Sequence, residues 1–308
     1  MRGRILPLPA LLALFLANGQ VMSGAPGPID AAHQTLQDAL HGEIGWIKVH
    51  AAEVLLIAGE TKAVAAVFRL ENEIHGQEVG YRVGIWRVLA LACPAERAFW
   101  RDKMMAVFLD STASDRLFAV ESLAKLGDPQ PPKLKLALDQ WGSSATPAER
   151  VFADWLDWQQ GDETARVRVI KALRSPDAVA RLRAAYILRK SGCADPMALG
   201  ALRAAAAVEP LDSVGRPYVI GAAFALSADP GRQEAWRVAL EDMAHHGTAA
   251  AAHEALQAFQ RHCSNDDIRR IEPLLKSIHG DVRVGAAWTI LAVARRANYQ
   301  ASAPSGIR

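Results

Sequence analysis

Aromatic side chains are scarce in this 308-residue chain, where Phe, Trp and Tyr together make up 6%. Strands favour aromatic and β-branched residues, so an all-β fold is not expected. Cysteine is nearly absent. Cys93, Cys193 and Cys263 form an odd, widely spaced set that gives no disulfide framework and reads as free thiols. Neither sign of charge dominates, with 35 Lys+Arg against 33 Asp+Glu. A protein that neutralises phosphates needs a basic excess, so nucleic acid is excluded as a partner. Beyond the N-terminus no apolar run approaches the roughly 18 residues of a membrane helix, and an integral membrane protein is not expected. Gly-x-Ser-x-Gly, phosphate-loop, dinucleotide and His-Glu-x-x-His motifs are all missing, which leaves no enzyme class indicated. The local histidine group of His245, His246, His253 and His262 offers one same-face pair, His246 with His253. Zinc needs three or four convergent donors, so neither metal nor cofactor is expected.

What the chain does have is 51% hydrophobic residues and 58 alanines. That is ample material for a core, and alanine suits close-packed helices. At the N-terminus Arg2 and Arg4 precede an apolar run from Ile5 to Ala17, too short to span a membrane and of the length of a secretory signal. Ala17-Asn18-Gly19 offers a cleavage point before Gln20. Residues 1–19 are therefore read as a signal peptide, 20–29 as a Pro/Gly-rich linker, 30–297 as the folded body and 298–308 as a tail. Export to the periplasm or beyond follows. Removing residues 1–19 removes two basic residues and no acid, and the exported chain is formally neutral.

A 34-residue pattern runs through the body: a basic residue, an apolar one, then small and aliphatic residues three and seven positions on. Its anchors are Lys48, Arg82, Arg116, Arg150, Arg181, Arg216 and Arg283, with Ala249 standing in the seventh place. Eight units result, each with room for an earlier helix. Gly127-Asp128-Pro129, Ala194-Asp195-Pro196 and Ala228-Asp229-Pro230 each place an Asp cap before a Pro suited to the first helical position. Thr146 and Glu149 have the spacing of a capping box. Each unit thus reads as helix, turn, helix. A lone hairpin cannot bury its apolar face, so the expected fold is all-α, an α-solenoid of about eight stacked hairpins.

Val282-Arg283-Val284-Gly285-Ala286-Ala287 and the Asp-Pro starts resemble the HEAT-like repeat family, in particular the short bacterial HEAT-like repeats of the type found in bilin lyases. The resemblance covers about Asp30 to Arg296 and implies an armadillo-type fold. Ala249 and Asp154 depart from the pattern. Tetratricopeptide repeats share the period, but their Trp, Leu-Gly, Tyr and Phe signature is absent. The resemblance implies a non-enzymatic scaffold, or alternatively a lyase or isomerase of the bilin-lyase type, whose active site no residue here identifies.

At 100° per residue, offsets 3, 6, 7 and 10 from each anchor share one apolar face. Offset 5 lies nearly opposite and carries Glu53, Arg87, Glu121, Trp155, Tyr186, Gly221, Glu254 and Trp288. In HEAT-like solenoids the second helices line the concave surface. This column, extended by Trp158 at offset 8, is therefore the expected binding site for a protein partner, an extended polymer or peptide, or a glycan. The anchor Arg residues are expected to form a structural ladder, their guanidinium groups bridging loop carbonyls or acids of the next unit. With the column exposed and the anchors packed, Arg150→Ala is expected to destabilise more than Glu121→Ala.

Overall fold

A computed structural model describes residues 27–302, with the side chains of Ser144 and residues 297–302 set aside. The expected signal peptide, most of the linker and the last residues of the tail lie outside that range. The described residues form sixteen α-helices and two short 3-10 segments, with no strand among them. They pair along the chain: α1 (Pro28–Gly42) with α2 (Gly45–Ile57), α3 (Thr61–His75) with α4 (Tyr81–Ala92), and α5 (Arg97–Leu109) with α6 (Arg116–Leu126). Next come α7 (Pro132–Ser144) with α8 (Pro147–Gln159), α9 (Glu163–Ala172) with α10 (Ala178–Ser191), and α11 (Pro196–Val208) with α12 (Arg216–Leu226). The last pairs are α13 (Pro230–His246) with α14 (Ala249–Phe259) and α15 (Asn265–Ile271) with α16 (Gly280–Ser302). The body starts at Pro28, two residues early, and α16 runs into the expected tail.

Local chemistry explains most of the starts. Asp195 accepts from the Ala198 N–H at 2.9 Å, and Asp229 from those of Gly231 and Arg232, each ahead of a Pro at the first helical position. Thr146 and Glu149 make both bonds of a capping box. Asp128 departs from expectation. Gln130-Pro131-Pro132 holds the backbone extended, because the residue before a proline avoids the helical region, and α7 begins only at Pro132. Asp128 instead accepts from Arg97 Nε at 2.9 Å. Gly127 and Gly192, at φ +68° and +63°, end α6 and α10 in the left-handed conformation that glycine adopts without cost.

The even-numbered helices pack in the cyclic order α2, α4, α6, α8, α10, α12, α14, α16 and back to α2, and α16 also lies along α1. The chain therefore closes on itself. Buried residues Ala32, Leu36, Ala39 and Leu40 give α1 one apolar face, and α2 and α16 are among the helices it packs against.

Polar rungs tie successive pairs together and include the closure. Lys48 bonds Glu71, Arg82 bonds Asp115 through Nε at 2.8 Å and Nη2 at 2.9 Å, and Arg181 grips Glu209 at 2.7 and 2.9 Å. Arg283, at the start of the last inner helix, reaches back to Glu43 before the first. Other bonds run to the carbonyl that ends the preceding helix or its loop: Arg116 to Phe108, Arg181 to Ser175, Arg216 to Glu209 and Arg283 to Ser277, at 2.7–2.9 Å. An outer row does the same for the odd-numbered helices, with Arg69 on Glu96, Arg97 on Asp128, Arg166 on Asp195 and Arg237 on Asp267.

Arg150 is the exception, since it is exposed and joins no rung among the described residues. Glu121 is paired with Lys125 at 2.8 Å and only 20% exposed. The expected order of the two substitutions is thereby reversed, Glu121→Ala costing more than Arg150→Ala. Arg82→Ala leaves the wholly buried Asp115 with the Gly80 N–H alone and should cost about 2 kcal/mol, against less than about 0.5 kcal/mol for Arg150→Ala. Denaturant midpoints check this, and equal midpoints for Arg82→Ala and Arg150→Ala would refute the rung.

Candidate functional site: the polar lumen

Because the inner helices close a circuit, the face opposite each hairpin seam looks across the ring at other inner helices rather than at solvent. None of the eight expected site residues is exposed. Arg87, Trp155, Tyr186 and Glu254 are buried, and Glu53, Glu121, Trp158 and Trp288 are partly so. This corrects the expectation of an open concave column. The expectation assumed an arc, whereas the closed circuit turns its inner surface into a second, polar core.

Arg87 on α4 sits at one side of this core, 1% exposed. Its Nε donates to Glu53 Oε1 on α2 at 2.6 Å and its Nη1 to Ser122 Oγ on α6 at 2.9 Å, while its Cζ lies 5.3 Å from the centroid of the Trp46 ring. Burial by itself would raise the Glu53 carboxyl, but Arg87, Lys125, His50 and Lys190 hold it down at about 2. Lys125 pairs with Glu121 one turn earlier on α6 and reaches over the Tyr186 ring of α10 at 5.5 Å. Tyr186 meets Trp155 edge to face with centroids 6.0 Å apart, and burial pushes its phenol up to about 12.

Across the lumen, Arg189 on α10 bonds Glu254 on α14 and lies 3.4 Å from Gln257 Oε1. Gln257 contacts His253 Nε2 at 2.5 Å, and His253 Nδ1 lies 2.9 Å from the Asp281 carbonyl. Taking the Nδ1 proton as the one donated there leaves Nε2 to accept from the Gln257 amide. His253 stacks on His50 of α2 at 5.1 Å, and burial keeps His253 below the usual histidine range. Lys190 projects between Tyr186 at 5.9 Å and Trp288 of α16 at 4.9 Å. Helices separated by others in the circuit thus share one network.

The structure brings Glu53, Arg87, Glu121, Trp155, Tyr186, Glu254 and Trp288 to this lumen. Trp158 packs on the hydrophobic core from α8 without joining the network. Gly221 serves close packing, since a Cβ there would lie 3.1 Å from Ala258 Cβ. Lys125 and Lys190, at offset 9, escaped the reading of offset 5 alone. A residue one turn further along a helix shares its face, so the i, i+4 rule finds both. Arg189 stands at offset 8, the place from which Trp158 extended the expected column, whereas His253 carries no such periodic signal.

Among the described residues no group of three or more His, Cys, Asp or Glu side chains is placed to hold a metal, and no helix is long and apolar enough to cross a membrane. The three cysteines are free, and burial pushes the Cys263 thiol up to about 12, far from a reactive thiolate.

The inner helices start at a common end, as the contacts of Arg82 with Asp115 and of Arg283 with Glu43 show. The loops between the helices of each pair therefore share one face of the ring. Ile44, Val79, Leu211, Val214 and Ile278 stand exposed there, Leu211 at 83% and Ile278 at 89%. Loops on the other face carry cap acids such as Asp162, Asp195 and Asp229.

No family model, no curated protein and no solved structure matches this chain.

Proposed function

We propose that the protein is a non-enzymatic scaffold of eight HEAT-like hairpins, exported to the periplasm or beyond, that binds a protein partner through one face of its ring. The observation that carries this reading is the set of large apolar side chains exposed in the loops of that face, where no core needs them. Isolated exposed apolar residues are ordinary; their recurrence at equivalent loops of the first, second, sixth and eighth pairs is what supports docking. An extended polymer on the inner surface is disfavoured, because paired side chains already cross the lumen. The binding surface accordingly moves from the column to the rim.

The test is an affinity pull-down from the native envelope fraction, comparing wild type with a rim variant, Ile44→Ser, Val79→Ser and Ile278→Ser, and with Glu121→Gln in the lumen. A partner lost with the rim variant and kept with Glu121→Gln is expected. Loss with Glu121→Gln alone, in a protein that still melts cooperatively, would return the site to the lumen.

A further inference from the structure

One packing position that recurs in the inner helices is left unfilled in α12. At offset 7 from the anchor, Leu55, Leu89, Leu123, Leu188, Leu256 and Ile290 are all buried. Asp157 stands there in α8 and Ala223 in α12. Over Ala223, itself only 1% exposed, a cleft of about 310 Å³ opens between the outer helices α11 and α13, which both pack on α12. Leu199 and Arg203, one turn apart on α11, line it from one side and Trp236 of α13 from the other. Ser227 and Asp229, between α12 and α13, complete the lining with Ala228. A cleft of this size, mostly apolar with few polar groups, has the form of a small-molecule site with room for about one or two rings.

The charges of the cleft differ in what is left to bind. Asp229 is already engaged, since its side chain accepts from the Gly231 and Arg232 N–H groups and pairs with Arg232 Nε at 3.0 Å. Arg203 is exposed and makes no ion pair among the described residues. Its Nε donates to the Leu199 carbonyl at 3.1 Å, which holds the side chain along α11 on the cleft and leaves both Nη groups without a protein acceptor. Arg203 is also the one charged residue of α11. Around it, Asp195 is held by Arg166, Arg237 by Glu234 and Asp267, and Glu241 by Arg270. Arg216, the one charged residue of α12, bonds the Glu209 carbonyl at the other end of that helix. Asp242, nearly two turns beyond Trp236, does not line the cleft.

We infer that this cleft binds a small aryl carboxylate, its ring against Trp236 and Leu199 and its carboxylate on the Arg203 guanidinium. The planar fork of arginine matches a carboxylate with two parallel N–H bonds. Asp229 in the same cleft opposes a head group with a second negative charge, and Trp236 gives a flat ring rigid contact area that a bare anion does not use. The cleft lies toward the loops that carry the cap acids, away from the apolar rim. Neither site rests on the other.

Calorimetric titration of the full chain with cinnamate tests it. Saturable one-site binding at pH 7 is expected, at least about fivefold weaker for Arg203→Gln and for cinnamyl alcohol, which keeps the ring and lacks the charge. Arg203→Gln should not change the affinity for the alcohol. Arg269→Gln, at an exposed arginine of α15, should leave cinnamate binding unchanged. Ala223→Leu restores the side chain found at this position in most inner helices and should fill the base of the cleft, so that cinnamate binds at least about fivefold more weakly to a protein that melts no lower than wild type. No saturable heat up to roughly 2 mM cinnamate, equal affinities for wild type and Arg203→Gln, or wild-type binding by a cooperatively melting Ala223→Leu would overturn the inference.

Discussion

Arg87→Met should lower the unfolding free energy by about 3–5 kcal/mol at pH 7, the largest loss expected for any single polar side chain in this protein. The guanidinium is 1% exposed, and its removal strips Glu53 of its 2.6 Å partner and Ser122 of its donor at once. Methionine fills much of the volume, so the loss reports electrostatics and hydrogen bonding rather than a cavity. Its pH dependence is equally specific. Glu53 titrates at about 2 when folded, below its ordinary 4.5, so the stability it lends is complete above about pH 4.5 and fades as pH falls through 2. Without Arg87 the depression is smaller. The gap between wild type and variant should be widest near neutrality and narrow in acid. Urea unfolding at pH 7 and pH 3 measures both, and a gap that is constant or grows in acid would contradict the role given to this pair.

The helices, most of their caps and the structural role of the anchors were legible in the sequence because they depend on neighbours a turn or a loop away. Thr146 and Glu149 are three residues apart, and Asp195 caps the helix it precedes. Arg181 bonds the Ser175 carbonyl six residues back. Even the period of about 34 residues has a direct physical counterpart, since Arg87 meets Glu53 and Arg82 meets Asp115 across one unit. Asp128 was misread because Pro131 and Pro132 override a cap signal three residues earlier.

Closure was not legible. It depends on a small rotation at each interface accumulated over the whole chain, and its contacts join Glu43 to Arg283 and α1 to α16. No local pattern encodes that sum. The same gap misplaced the site: Trp155 and Tyr186 lie on the face expected of them, but that face meets other inner helices instead of solvent. Exposed loop residues such as Ile278 and Leu211 gave no periodic signal, and only the fold gathers them on one rim.

The closed circuit is the central claim, and a designed cross-link tests it most directly. A Cβ placed on Gly280 would lie 3.1 Å from Ile47 Cγ2 and 2.9 Å from both Ile47 Cδ1 and Glu43 Oε1, so the Cβ atoms of Ile47→Cys and Gly280→Cys come within disulfide reach, and the truncated isoleucine together with a small shift of the Glu43 carboxylate vacates the space that the new side chain needs. Cross-linking the first pair to the last constrains nearly the whole unfolded chain, an effect on the order of 4–5 kcal/mol in the chain-entropy account. On oxidation the double variant should form an intramolecular 47–280 disulfide, identified by peptide mass, run faster on a non-reducing gel and melt well above its reduced form. An open arc would hold these residues at opposite ends of the molecule. Failure to form the bond in the folded monomer, with cross-links appearing only between molecules, would contradict the ring.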